Sequence, residues 1–291
     1  MPHSIPFFIL ITTSVLIFFS VLLHTKDKKL IILLFFMIGM AYTLEYVILV
    51  LFNSYQYDPN FTSNEYFDNL FGSLTSQAFT FPIMAVFVAA YQLKFRYIIF
   101  ISLMFMGIEE LFIHLGLYKQ HWWKTIYTGI FMTIGFMIAK VWYVWLSERF
   151  SKWIHFTTLY LSMTAVNTTI MLCLIAMLHT HTFQVEWFQS DTRDLVNINT
   201  IYVYGLTLLY IWAVIRHSLL FIIMSILSFR LLDVILIHYH ILELAKWNSL
   251  FLITILDLGV IALIARFNHF ILKNCYGTDR KKVIAFMNDN N

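Results

Sequence analysis

The stretch Gly107–Tyr127, GIEELFIHLGLYKQHWWKTIY, decides how the rest of the chain is interpreted. Glu109 and Glu110 are adjacent carboxylates inside a segment that is otherwise apolar enough to span a membrane, and His114 follows Glu110 by one helical turn. Ionisable side chains at membrane depth are energetically costly, so they mark functional positions by default. The stretch therefore predicts a membrane helix that carries a polar site.

The composition places the whole chain in the same class. Of its 291 residues, 60% are hydrophobic and 12% are charged, and the mean hydropathy is +0.76, whereas about a quarter of the residues in soluble proteins are charged. Long unbroken apolar runs exclude a β-barrel, whose strands alternate in hydrophobicity. The low content of Gly and Pro favours uninterrupted helices. We predict an all-α, polytopic transmembrane helix bundle.

The apolar runs predict nine spans, because about 20 apolar residues cross a bilayer. We expect them to form a single transmembrane domain over residues 1–270, followed by a short polar tail over residues 271–291. The spans are predicted at residues 5–23, 30–52, 76–93, 97–117, 126–146, 154–178, 197–215, 218–238 and 248–270.

The basic residues predict the orientation of the spans. Of the 19 Lys and Arg residues, 13 fall on one side and 4 on the other, while Lys140 and Arg230 lie within spans. Because cytoplasmic loops carry the excess of positive charge, we expect the N-terminus outside and the C-terminal tail in the cytoplasm. The chain is thus predicted to be a multi-pass cell-membrane protein that has the lipid bilayer as its first partner.

Five acidic residues share a layer in the outer half of the predicted bundle. At a rise of about 1.5 Å per residue they lie at similar depth on four spans, with Arg230 as the only arginine among them. They cannot all stay ionised in a low-dielectric setting without compensation, so we expect a proton, water or a cation to enter the layer. The alternative is that protonated acids serve only as hydrogen-bonding links between helices. The acids are Glu45, Glu109, Glu110, Asp233 and Asp257.

Glu109 is the expected centre of this candidate site. Adjacent helical residues point about 100° apart, so we expect Glu110 to face away from the centre, with His114 beside it. Gly116 is small enough to let a neighbouring helix bring Glu45 close to Glu109.

The eighth span repeats part of this pattern. Arg230 lies three residues before Asp233 on the same helical face, and the two are expected to form a buried pair. Trp247 follows Asp233 by 14 residues, as Trp123 follows Glu109. A repeated helical hairpin would produce this echo, and chance similarity between apolar helices would produce it as well.

The sequence contains few features of metal, nucleotide or cofactor sites. Two His-x-His pairs, beginning at His179 and His238, lie at predicted helix ends without the further ligands of a metal site, so no metal is predicted. No nucleotide-binding glycine motif occurs, and we expect no cofactor and no nucleic-acid partner. Paired tryptophans are typical of an interfacial belt, which is the role predicted for Trp122 and Trp123.

Part of the chain has a recognisable residue pattern, which consists of Glu109, Gly116, Trp123, Lys124, Tyr127, Thr128, the run Tyr55-Gln56-Tyr57-Asp58-Pro59 and the pair Phe81-Pro82. In this pattern the chain resembles a family of uncharacterised helical membrane proteins from spore-forming Gram-positive bacteria. The resemblance covers roughly residues 35–146 and implies a bacterial cytoplasmic membrane and a helical topology, but it transfers no catalytic residue.

Three functions are compatible with these observations. The leading hypothesis is an integral membrane protein, without catalysis, that handles protons, a cation or a small cationic solute through the acidic layer. The second is a membrane-embedded enzyme that acts on a lipid-linked substrate, with Glu109 or Glu110 as general acid or base and His114 assisting. The third is a sensor or assembly subunit in which the acids only pack. A lateral groove open to lipid near Glu109 would favour the enzyme.

Overall fold

The computed structural model describes residues 3–246 and 249–276. Within these ranges nine helical segments are long and apolar enough to cross a membrane, as the sequence predicted. They are α1 Ser4–Thr25, α2 Lys29–Leu51, α3 Glu65–Ala90, α4 Phe95–His114, α5 Thr125–Glu148, α6 Lys152–Leu178, α7 Asp191–Ile215, α8 Leu219–His238 and α9 Ser249–Cys275. Four short strands accompany them: β1 Tyr55–Tyr57, β2 Tyr118–Gln120, β3 His181–Phe183 and β4 Leu242–Leu244.

The third helix starts well before the predicted span. It begins at Glu65 rather than at residue 76, because Asp68, Asn69 and Ser73 in its first turns are buried inside the protein instead of lying in a solvated loop. The mean hydropathy of such a segment is too low to predict a span, although its polar side chains form hydrogen bonds inside the protein. For the same reason α7 begins at Asp191 rather than at residue 197.

The end of the chain also differs from the prediction. The last helix continues to Cys275, past residue 271 where the polar tail was predicted to start. Most of that tail, and Trp247 of the predicted echo, lie outside the described residues.

The chain divides into two compact units, Met1–Phe150 and Ser151–Asn291. Our prediction of one transmembrane domain over residues 1–270 stays a prediction. After α1, the first unit runs α2–β1–α3–α4–β2–α5, and the second runs α6–β3–α7–α8–β4–α9. Apart from α1, each unit therefore consists of four helices and one two-stranded antiparallel ribbon.

The ribbons fix which helix ends meet. In the first unit Tyr55 lies opposite Gln120 and Tyr57 opposite Tyr118, so β1 and β2 join the ends of α2 and α4. In the second unit β3 and β4 pair in the same antiparallel sense and join the ends of α6 and α8. Two helices that are far apart in sequence are thereby held together at one end.

Backbone geometry shows that the two units are an internal repeat. Each left-handed residue of one unit has a counterpart at the same place in the other, apart from Lys26, which follows the extra helix α1. The pairs are Asn53 with His179, Asn60 with Glu186, Gln92 with His217, and Gly116 with His240. The repeated element is thus four helices long and matches α2 with α6 and α4 with α8, rather than being the single hairpin suggested by the sequence.

A buried aspartate organises the equivalent loop in each unit. Asp68 accepts hydrogen bonds from the backbone N–H groups of Asn60, Phe61 and Thr62 at 2.9, 2.6 and 2.9 Å. Asp194 accepts two from its own preceding loop, both at 3.1 Å. Each aspartate lies in the first turn of a helix, where the helix dipole also favours a negative charge.

The two units differ in helical regularity. Residues Tyr46–Leu51 of α2 and Thr75–Thr80 of α3 are π-helical, whereas α6 and α7 are α-helical throughout. Gln92 follows Asp68 by 24 positions, but the counterpart His217 follows Asp194 by 23. A π-helical turn accommodates one extra residue, and such turns are frequent at functional sites.

Candidate functional site

Glu45 and Glu109 line one cavity of about 100 Å³ in the first unit. They converge because the β1–β2 ribbon joins the ends of their helices, with Glu45 ten residues before Tyr55 and Glu109 nine residues before Tyr118. The volume is well above the roughly 15 Å³ that a single water needs. The other lining residues are Ala41, Leu44, Ile48, Tyr55, Tyr57, Ser76, Gln77, Phe81, Tyr118, Trp123, Thr128, Phe131 and Met132.

Glu45 is held by three neutral donors. The Tyr55 hydroxyl donates to Oε2 at 2.6 Å, the Ser73 hydroxyl to Oε1 at 2.6 Å, and the Gln77 amide to Oε2 at 2.9 Å. The carboxyl is buried, with 8% of the residue exposed. Glu45 is also the last α-helical residue before the π-helical segment of α2, and Gln77 lies within that of α3. Both irregular segments therefore border this carboxyl.

Glu109 is half-buried, whereas Glu45 is buried. Its Oε1 accepts a hydrogen bond from the Gln120 amide at 2.7 Å, and Gln120 also donates to Thr125 at 3.0 Å. Glu110 is exposed and accepts from the Thr125 hydroxyl at 2.6 Å. His114 is exposed as well and does not line the cavity. Of the two adjacent acids, Glu109 alone faces the cavity, as expected from their angular separation.

Two residues act differently from the sequence-based interpretation. Gly116 lies past the end of α4 with φ of 72°, and open space surrounds the position of a side chain there. Its role is to end the helix in a left-handed turn, not to admit a neighbouring helix. Trp123 is 7% exposed and lines the cavity, so the structure does not place it in an interfacial belt, whereas its neighbour Trp122 is 49% exposed.

Aromatic rings form much of the cavity wall. Tyr55 contacts Tyr118 with ring centroids 5.2 Å apart and Trp123 at 5.6 Å, and Tyr57 lies 4.8 Å from Tyr118. Burial raises the pKa of all three tyrosine phenols above the usual range, and the nearby Glu45 carboxylate adds to the rise. These phenols stay neutral and can donate hydrogen bonds, as Tyr55 does to Glu45. The wall thus contributes no negative charge of its own.

The cavity contains acids without a basic partner. None of its lining side chains, among the residues that the structure describes, is Lys, Arg or His. Two carboxyl groups that face one cavity repel each other when both are ionised. A proton or a cation in the cavity would remove that repulsion.

The equivalent acid in the second unit has an internal cation. Asp233 lies on α8 at the position that Glu109 has on α4, nine residues before the ribbon strand. Arg230 contacts Asp233 at 3.1 Å and Asp257 at 3.0 Å, so the predicted pair exists and includes a second acid. The Tyr202 hydroxyl donates to Asp233 at 2.8 Å. Asp233 and Asp257 are almost completely buried.

The seven predicted site residues therefore divide between the two units. The first unit brings Glu45 and Glu109 together and leaves Glu110 and His114 at the surface, while the second joins Arg230, Asp233 and Asp257. Sequence reasoning missed the residues that position the acids, chiefly Tyr55, Ser73, Gln77 and Gln120. Only the Tyr-Gln-Tyr run offered a signal, because two aromatic residues two apart point to one face of a strand.

Comparison with known proteins adds no identification, since no family model, no curated protein and no solved structure matches the chain.

Proposed function

We propose that this chain is a multi-pass protein of a bacterial cytoplasmic membrane that binds a cation between Glu45 and Glu109. One observation carries the proposal: two carboxyl groups share a cavity that lacks a basic residue, whereas the equivalent acid of the repeat is neutralised by Arg230. The same fold therefore has one acidic site that contains its own cation and one that does not. A bound cation would supply in the first unit the charge that arginine supplies in the second.

The geometry supports binding more than catalysis. Glu45 has both oxygens engaged by donors, so its carboxyl is held in one orientation and is not free to approach a substrate. His114, the assisting base of the enzyme hypothesis, is exposed and lies away from the cavity lining. A fixed carboxylate with a second carboxylate nearby is suited to cation recognition.

We expect the Glu45→Gln and Glu109→Gln variants to lose cation-dependent stabilisation. The purified protein in maltoside micelles would be heated in increasing concentrations of monovalent chlorides, with unfolding followed by tryptophan fluorescence. A cation that binds only the folded state stabilises it by about 1.4 kcal/mol at ten times its Kd. Removing either charge should abolish most of that gain.

Glu110→Gln is the matched control, since it changes the adjacent, exposed acid that does not line the cavity, and it should change the cation response much less than Glu109→Gln does. General salt effects act on all of the variants alike and cancel in the comparison. Equal responses of wild type, Glu45→Gln and Glu109→Gln to every cation tested would refute the proposed site.

The proposed orientation places the N-terminus outside and the C-terminus in the cytoplasm, from the 13-to-4 distribution of basic residues. In a background with Cys173 and Cys275 replaced by serine, single cysteines at exposed Ser63 and Glu148 would be labelled with an impermeant thiol reagent on whole cells. We expect labelling at position 63 alone. Labelling at position 148 alone would reverse the topology.

A further inference from the structure

The chemical nature of the cation follows from the walls of the Glu45–Glu109 cavity. A hard metal ion such as Ca²⁺ needs six to eight oxygen ligands, and Mg²⁺ needs six in near-ideal geometry. Both oxygens of Glu45 already accept hydrogen bonds from Tyr55, Ser73 and Gln77. Within residues 3–246 and 249–276, no group of three His, Cys, Asp or Glu residues is arranged to hold a metal. A bare metal ion is therefore poorly matched to this site.

An organic ammonium ion fits the same walls well. Tyr55, Tyr57, Tyr118 and Trp123 form one connected aromatic cluster around the two acids, with neighbouring ring centroids 4.8 to 5.7 Å apart. Aromatic faces attract cations through their quadrupoles, most strongly when water is excluded, and aromatic cages are used to bind quaternary ammonium groups. Such a cation needs a negative field and ring contacts but no oxygen ligands in fixed positions.

The repeat provides an internal comparison. In the second unit, where Arg230 supplies the cation, the positions of Tyr55, Tyr57 and Tyr118 in the ribbon are occupied by His181, Phe183 and Leu242. The three tyrosines are thus confined to the unit whose acids lack a basic partner. The second unit has rings near its acids as well, since Tyr202 contacts Phe183 and Phe229, but its ribbon contributes no tyrosine.

We propose that the cavity binds a small organic ammonium ion, of the methylated-amine class, between the aromatic cluster and the carboxylates of Glu45 and Glu109. This inference rests on the proposed function and specifies its ligand. Tyr55 has two roles in it, since its hydroxyl fixes Glu45 while its ring is part of the wall. The ammonium group is found both in soluble amines and in choline lipid headgroups, and the chemistry of recognition is the same for both.

Tetramethylammonium chloride is the probe that tests the inference. With full-length protein in maltoside micelles, we expect its Kd, measured by thermal stabilisation, to be at least tenfold lower than that of Na⁺ or K⁺. Trp123→Leu should weaken tetramethylammonium binding about fivefold or more, because one cation–π contact contributes about 1 kcal/mol. Trp123→Phe keeps a ring at this position and should retain most of the affinity.

Trp122→Leu is the matched control, because it removes the neighbouring, exposed ring that does not line the cavity and should weaken binding less than Trp123→Leu does. To identify the natural source, binding is repeated in nanodiscs of phosphatidylcholine and of phosphatidylglycerol. If phosphatidylcholine, but not phosphatidylglycerol, competes with tetramethylammonium, the natural ligand is the lipid headgroup. If the affinity for tetramethylammonium is equal in both lipids, the natural ligand is a soluble amine. Either result agrees with the ammonium class.

Two outcomes separate the ligand class from the proposed function. If Na⁺ or K⁺ stabilises the protein through Glu109 as strongly as tetramethylammonium does, the ammonium inference fails and the cation site stands. If no cation gives a Glu109-dependent response, both fail. Loss of binding in Trp122→Leu and Trp123→Leu to the same extent would also refute the aromatic wall.

Discussion

Arg230→Met should destabilise the second unit by about 3–5 kcal/mol, the range typical for removing one partner of a buried charge pair. The variant keeps the aliphatic bulk of the side chain but leaves Asp233 and Asp257 facing each other in a buried setting. Both carboxyl groups then lose their contacts of 3.1 and 3.0 Å with the guanidinium. Unfolding of the purified protein in mixed micelles containing an increasing fraction of dodecyl sulfate measures the effect.

Controls separate the charge from the packing. Arg216→Met removes an exposed arginine near the end of the neighbouring helix and should change stability by less than about 0.5 kcal/mol. Adding Asp233→Asn and Asp257→Asn to Arg230→Met removes the uncompensated charges and should restore part of the loss. If Arg230→Met unfolds at the wild-type detergent fraction, the ion pairs do not contribute to stability.

The helices were the predictable part of this fold, because their signal is local. Nine apolar segments of sufficient length occur where the sequence predicted spans, and the boundaries of α2, α6 and α8 differ by only one or two residues. The start of α3 was not predictable by this route. Its first two turns include Glu65, Asp68 and Asn69. Only the folded structure reveals that Asp68 and Asn69 are buried and accept hydrogen bonds from the preceding loop and from β1.

The two β-ribbons could not be predicted from the sequence, for a different reason. Each strand has three residues, too few for an alternating pattern, and it exists only because it pairs with a strand about 60 positions away. Yet this pairing brings Glu45 to the cavity that Glu109 lines. Composition could identify the acids as costly, but not which of them meet.

The sequence indicated only part of the internal repeat. The sequence linked Glu109 with Asp233, and the structure places these two residues at equivalent points of α4 and α8. The counterpart of α2 is α6, which contains no acid, so Glu45 has no equivalent acid in the second unit. Backbone conformation preserves the repeat where side chains have diverged, since a left-handed turn recurs at Asn53 and His179 without similarity between the residues.

The second large effect is expected at Asp68, which organises the loop before α3. Its carboxylate accepts three backbone N–H groups at 2.6 to 2.9 Å, and the residue is 5% exposed. In Asp68→Ala these three donors lose their acceptor in a largely buried setting, and a hydrogen bond to a charged group contributes about 1.5–3 kcal/mol. We expect a loss of about 3 kcal/mol in the same detergent unfolding experiment. Asp68→Asn keeps an acceptor oxygen for the N–H groups of Phe61 and Thr62 and should lose less.

Glu65→Ala is the control for charge in the first helical turn, because Glu65 is exposed and near the same helix end. It should change stability by less than about 0.5 kcal/mol. The loop also positions the site, since α3 carries Ser73 and Gln77, which hold Glu45 in place. Asp68→Ala should therefore weaken cation binding as well as destabilise the fold. Asp194→Ala is the equivalent change in the second unit. It should reduce stability and leave the cation affinity of the first unit unchanged. If the two variants weakened binding equally, the cation would not be recognised by the first unit alone.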